Sequence, residues 1–161
     1  MPNSTPDQPI KRAVLSLNGG PTDELVIECG CKLARADQSE LVAIYVVEVD
    51  WRHDLDDDLE EQREEASRAL DLAEGMAEKA KVNLESQLLQ ARDVGAALVD
   101  EAVALEADTI VLGLPYEVRF GGDFALGLTI PYVFKNAPCR VFVVREPVAN
   151  SEGRAENMKG I

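Results

Sequence analysis

Leu41-Val-Ala-Ile-Tyr-Val-Val47 is a run of seven apolar residues without polar alternation. A strand covered on both faces reads this way, whereas a strand with one wet face alternates. Shorter runs of the same kind stand at Ala13–Leu17, Thr109–Leu112 and Val141–Val144. A weaker one, Asn83–Gln90, alternates in part, with Leu84, Ser86 and Leu88 set against Glu85 and Gln87. It suits a strand nearer an edge of the sheet.

Helix-period runs lie between the strands. Leu25, Val26, Cys29, Leu33 and Ala34 recur at helical spacing, with Thr22 or Asp23 as the N-cap. A longer stripe from 54 to 81 carries Leu59, Ala66, Ala69, Leu70, Ala73, Met76, Ala77 and Ala80. Leu98, Val99, Ala102 and Leu105 make a third helix, capped by Asp93. A short fourth covers Tyr132–Asn136 and stops at Ala137-Pro138. Strands alternating with helices imply parallel pairing through right-handed crossovers. The expected fold is therefore α/β, a three-layer α/β/α sandwich on a five-stranded parallel sheet. Ligands of such sheets sit outside the carboxyl ends of the strands, at the topological switch point. The loops after Leu17, Val47 and Leu112 are the ones to inspect. The domain is expected over residues 11–146, between a proline-rich tail at 1–10 and a polar tail at 147–161.

Charge narrows the function. The 161 residues include 30 acidic and 16 basic side chains, a net charge of −14. Such a field repels phosphate backbones and anionic lipid, and no local basic patch offsets it. Neither a nucleic-acid nor a membrane partner is expected. No segment approaches the ~20 apolar residues of a membrane span, and the first residues lack the pattern of a signal peptide. Three cysteines, an odd number, point to a reducing compartment, hence the cytoplasm. Residues 54–79 carry eleven acidic and three basic side chains, −8 of the total. The expectation places that charge on one outer helix face, either as a solubility surface or as a patch that a basic protein partner reads.

The strand ends resemble those of the universal stress protein family. Ala13-Val-Leu-Ser-Leu-Asn-Gly-Gly20 resembles the family's opening strand, which ends in Asp-Gly-Ser. Leu41-Val-Ala-Ile-Tyr-Val-Val-Glu48 resembles its second strand, and Ala107-Asp-Thr-Ile-Val-Leu-Gly113 its fourth. Leu126-Gly-Leu-Thr-Ile-Pro-Tyr-Val-Phe-Lys-Asn-Ala-Pro-Cys-Arg-Val141 is similar, without gaps, to its closing segment. The resemblance runs over about residues 11–145. It implies a nucleotide-binding-like fold and a homodimer paired through the last strand, here Arg140, Val141, Phe142, Val143 and Val144. Read by itself, that segment is an edge strand with terminal charges that discourage pairing.

The resemblance also implies an ATP loop after the fourth strand, Gly-x2-Gly-x9-Gly-[Ser/Thr], from which this chain departs. Gly113 and Gly127 fill the first and third glycine places, but Tyr116 takes the second and Leu128 the hydroxyl place. The stretch before Gly127 is one residue too long. Thr129, Ile130 and Pro131 follow, and a proline removes a backbone donor from the helix start that faces phosphate. That helix must start near Thr129–Pro131 or be kinked there. Asn18 replaces the acidic residue at the end of the first strand. Each lost contact is worth about 1–3 kcal/mol, so weak or absent ATP binding is expected. Gly121-Gly122 reads either as a substitute loop with Arg119 as phosphate ligand or as a surface loop closed by Phe120 and Phe124.

No catalytic residue and no metal site is assigned. His53 is the only histidine and precedes an acidic helix. No nucleophile elbow, Walker loop or zinc-protease motif is present. Asp54, Asp56, Asp58 and Glu65 follow an EF-hand count, but Leu59 stands at the obligatory glycine. Cys29 and Cys31 are two residues apart and diverge on a helix, and Cys139 enters the last strand, so all three read as packing residues. The expected function is a binding or regulatory protein of the stress type, not an enzyme and without a cofactor. The alternative is a nucleotide, with ATP/Mg or AMP as the type, or another small ligand. It would lie in a cleft formed by Asn18, Gly19, Val47, Gly113, Gly127 and Thr129.

Overall fold

The computed structural model describes residues 8–114 and 127–147. In chain order the elements are β1 Arg12–Leu17, α1 Asp23–Asp37, β2 Glu40–Glu48, α2 Glu60–Ala80 and β3 Leu84–Ala91. They continue with α3 Val94–Ala104, β4 Thr109–Leu114, α4 Thr129–Asn136 and β5 Arg140–Arg145. The sheet order is β3-β2-β1-β4-β5 and every pairing is parallel. The chain builds outward from β1 to β3, then crosses to β4 on the other side. The switch point therefore lies between β1 and β4.

Alternation along the buried strands splits the core in two. Ala13, Leu15, Leu17, Leu41, Ala43, Tyr45 and Val47 point to one face and pack with Val26, Ile27, Ala66, Ala69 and Ala73 of α1 and α2. Val14, Val42, Ile44, Val46, Ile110 and Leu112 point to the other and pack with Leu98, Val99, Ile130 and Val133 of α3 and α4. The three layers follow from these two clusters. All of Leu41–Val47 is buried, as expected of a strand covered on both faces. The edge strand β3 has no fully buried residue.

Local chemistry moves several boundaries. The Asp93 carboxylate accepts from the Ala96 N–H at 3.0 Å and caps α3 as expected. Neither Thr22 nor Asp23 caps α1 with its side chain. Helix α2 starts at Glu60, not at 54, because residues 50–57 spend their side chains on local turns. The Asp50 carboxylate accepts from the Arg52 N–H at 2.9 Å, and Asp57 accepts from the Asp54 N–H at 2.9 Å. Such bonds offer the backbone an alternative to the helix. The acidity is correspondingly divided: α2 itself holds seven carboxylates and three cations, net −4, and the preceding loop holds the rest. Helix α4 begins at Thr129, within the start expected near Thr129–Pro131 and three residues before the apolar run at Tyr132, with Pro131 in the first turn where proline is tolerated.

The core also reaches into the expected N-terminal tail. Ile10 is 4% exposed, and its N–H donates to Asp37 Oδ2 at 2.7 Å. The remainder of both tails, at 1–7 and 148–161, lies outside the described residues. Among the described residues, three non-glycine residues adopt left-handed backbone: Gln38 (φ 57°), Lys81 (φ 59°) and Glu106 (φ 55°), each just after a helix.

Candidate functional site

The carboxyl ends of β1, β2 and β4 enclose a cleft of about 450 Å³. Asn18, Val47, Gly113, Gly127 and Thr129 all line it. Gly19 does not. It turns to the other side of the β1–α1 loop and borders a separate depression of about 350 Å³, with Asp23, Glu65 and Arg68.

The loop after β1 is held by the chain's own groups. Asp23, 4% exposed, accepts from the Asn18 N–H at 3.0 Å and the Gly19 N–H at 2.7 Å. The Tyr45 hydroxyl donates to the Asn18 carbonyl at 3.1 Å. Burial pushes the Asp23 carboxyl above its ordinary range, the two N–H groups pull it back, and the nearby Glu65 adds to the rise. Burial likewise raises Tyr45, with Glu65 and Asp23 adding to it. The amides at this end of β1 are thus already given to an internal carboxylate.

On the β4 side, two glycines serve different ends. A side chain on Gly113 would collide with the Thr22 hydroxyl and meet Val26 Cγ2 at 3.0 Å. Glycine here lets β4 approach α1. Gly127 has φ +69° and open space around its absent Cβ, so backbone conformation alone calls for glycine. Thr129 and Ile130 open α4, and the first-turn N–H groups of a helix have no partner inside it. Pro131 has no N–H to add. The Leu128 side chain, in the expected hydroxyl place, is 91% exposed and makes no cap.

Ser16, Tyr45, Gln62 and Glu48 also line the cleft, and the sequence reading assigned none of them to it. Glu48 is the one charged side chain lining it among the described residues. Tyr45 stands inside a continuous apolar run and Gln62 on an outer helix, so periodicity marks neither. Glu48 had a signal, since it ends the second strand where ligands gather.

The remaining sequence candidates lie elsewhere. His53 Nδ1 is 2.9 Å from Asp50 Oδ1 in an exposed loop. Of the four EF-hand positions, Asp58 pairs with Arg63 at 3.4 Å and Glu65 lies against Gly19. The carboxylates that do converge are those of Asp54, Asp56 and Asp57. All three cysteines are free thiols, and burial raises each above its ordinary value. Tyr116, Arg119, Phe120, Gly121, Gly122 and Phe124 lie outside the described residues. No helix among the described residues is long and apolar enough to cross a membrane.

The model of the Universal stress protein family matches residues 9–145, nearly the whole described chain. The chain belongs to this family. Its sandwich is the family's nucleotide-binding-like α/β fold, as the solved structures agree. UspA of Lactobacillus plantarum, a universal stress protein, is 25% identical with a TM-score of 0.70, over 86% of this chain and 100% of that one. A family protein from Burkholderia pseudomallei is 22% identical with a TM-score of 0.67, over 86% and 98%. The universal stress protein of Archaeoglobus fulgidus in complex with dAMP is 19% identical with a TM-score of 0.65, over 84% and 98%. No curated protein matches the chain.

Proposed function

We propose that this universal stress protein is a cytoplasmic, non-catalytic regulatory module whose cleft does not hold a nucleoside triphosphate. The observation that carries the proposal is the cleft's charge. Among the described lining residues the one charged side chain is Glu48, whose sign opposes phosphate, and α4 has Leu128 as its N-cap and Pro131 in its first turn where donors would serve a phosphate. A non-catalytic role is supported by the position of the single histidine, outside the cleft, so that no hydroxyl lining the cleft has an imidazole beside it. Three free thiols support a reducing compartment. The same reading includes a homodimer through Arg140, Val141, Phe142, Val143 and Val144.

A second reading keeps a single phosphate group. The Thr129 and Ile130 amides still open a helix beside the cleft, enough for one anion but not for three. Related structures are described in complex with dAMP, with cAMP or with AMP bound, the last from Arabidopsis thaliana. Thermal denaturation with ATP–Mg and with AMP separates the readings. A ligand at 100 times its dissociation constant stabilises by about 2.7 kcal/mol. The first reading expects no shift with millimolar ATP, and a rise with ATP overturns it. A rise with AMP alone selects the second.

A further inference from the structure

Trp51 is 85% exposed and Leu55 51% exposed, both on the loop between β2 and α2. Their exposure is built rather than incidental, because the loop is fastened to the end of the edge strand β3. Arg92 donates to the carbonyls of Val49 and Asp50, and its guanidinium stacks over the Trp51 ring, 4.5 Å from the centroid. Two residues earlier, the Gln90 amide donates to the Leu55 carbonyl at 2.8 Å and the Asp57 carbonyl at 3.2 Å. Inside the loop, Asp50 accepts from the Arg52 backbone and guanidinium and faces His53 Nδ1. A fastened loop thus presents an indole and an isobutyl group to water.

The surroundings of these two side chains are acidic. Asp54, Asp56 and Asp57 bring carboxylates within 4.8 Å of one another, and Asp58, Glu60 and Glu61 follow along the chain. Arg52 and Arg63, the nearest cations in sequence, are each engaged by a carboxylate, Asp50 and Asp58. Arg92, stacked on the indole, sets one cation against the three carboxylates of Asp54, Asp56 and Asp57, so the patch keeps a net negative charge. An exposed aromatic anchor beside a net negative patch is complementary to a segment with the opposite sign and its own apolar groups.

We propose that the loop 50–58 is a docking surface for a basic, apolar protein segment. Trp51 and Leu55 receive its apolar side chains, and Asp54, Asp56 and Asp57 receive its lysines or arginines. This inference stands on the loop alone and does not depend on what the cleft holds.

Trp51 is the only tryptophan of the chain, so its emission reports the contact directly. The full-length protein is titrated with a short peptide alternating Lys and Leu, with its Glu-Leu counterpart, and with oligolysine. The expected result is a saturable blue shift with the Lys-Leu peptide, none with Glu-Leu, and weaker binding of oligolysine. Leu55→Ser should weaken the Lys-Leu peptide about tenfold, as loss of an interface anchor does. Asp54→Asn/Asp56→Asn/Asp57→Asn should weaken it further and flatten its dependence on salt. Far-ultraviolet circular dichroism confirms that each variant is folded. The proposal is overturned if the Glu-Leu peptide binds as well, or if Leu55→Ser leaves the affinity unchanged, which reduces the contact to bulk charge attraction. It is also overturned if the blue shift appears with protein concentration alone or with neutral lipid vesicles in place of the peptide.

Discussion

The Thr22 hydroxyl occupies the space that a side chain on Gly113 would need, and it is buried there without a hydrogen-bond partner. Gly113→Ala should therefore destabilise the domain by about 1–3 kcal/mol through overpacking against α1. Thr22→Val removes the unpaired hydroxyl while keeping the shape, and should be neutral or stabilising by up to about 2 kcal/mol. Urea unfolding of both variants checks the pair. A Gly113→Ala protein as stable as wild type would mean that the strand can step away from α1.

Asp23 gives the fold a pH dependence of unusual sign. Its folded value is raised above the ordinary 3.8, so the native state holds this proton more tightly than the unfolded chain. Its contribution to stability should fall as pH rises from that value through the raised one. Asp50 acts in the opposite sense: hydrogen bonds from Arg52 and His53 depress it, so its small contribution is lost as pH falls. Denaturation across acidic pH should show the Asp23 segment flattened in Asp23→Asn and kept in Asp50→Asn. Identical slopes in wild type and Asp23→Asn rule the assignment out.

Pro131→Ser restores one donor to the first turn of α4. If loss of donors weakens phosphate binding, this change should raise the affinity for AMP by about tenfold, the worth of one bond to a charged group. Calorimetric titration of the two proteins decides it, and equal affinities count against the role given to Pro131.

The strand β5 forms one edge of the sheet and leaves Phe142 37% exposed. A dimer through this edge predicts that wild type sediments at twice the chain mass and Phe142→Asp at once the mass. Monomeric wild type removes the proposal.

How legible the fold was depended on how locally its causes lie. The inner strands β1, β2 and β4 could be read because a chain covered on both faces has little room for alternation, as at Leu41–Val47, whereas the edge strand β3 was legible only through a partial alternation. The cap at Asp93 could be read because its partner Ala96 is three residues away. The start of α2 could not, since an acidic run suits both a helix's first turn and the aspartate turns that Asp50 and Asp57 make. Asp23 misled for a related reason: a good N-cap residue also serves to bind the preceding loop, and only the fold shows which it does. Within the cleft, Asn18, Val47, Gly113, Gly127 and Thr129 were legible, Glu48 at a strand end was missed, Gly19 turns away, and Tyr45 and Gln62 enter through the tertiary packing. Gly113 matched a phosphate-loop place, yet its geometry answers to Thr22.

The left-handed residues Gln38, Lys81 and Glu106 each stand just before the amino end of a strand, β2, β3 and β4. A side chain held in that conformation costs roughly 1 kcal/mol, and glycine relieves most of it. All three positions lie at the end of the sheet opposite the cleft and the loop 50–58. Heat resistance in this domain can therefore be engineered at one pole while recognition is left to the other, which suits it as a scaffold for grafted binding surfaces.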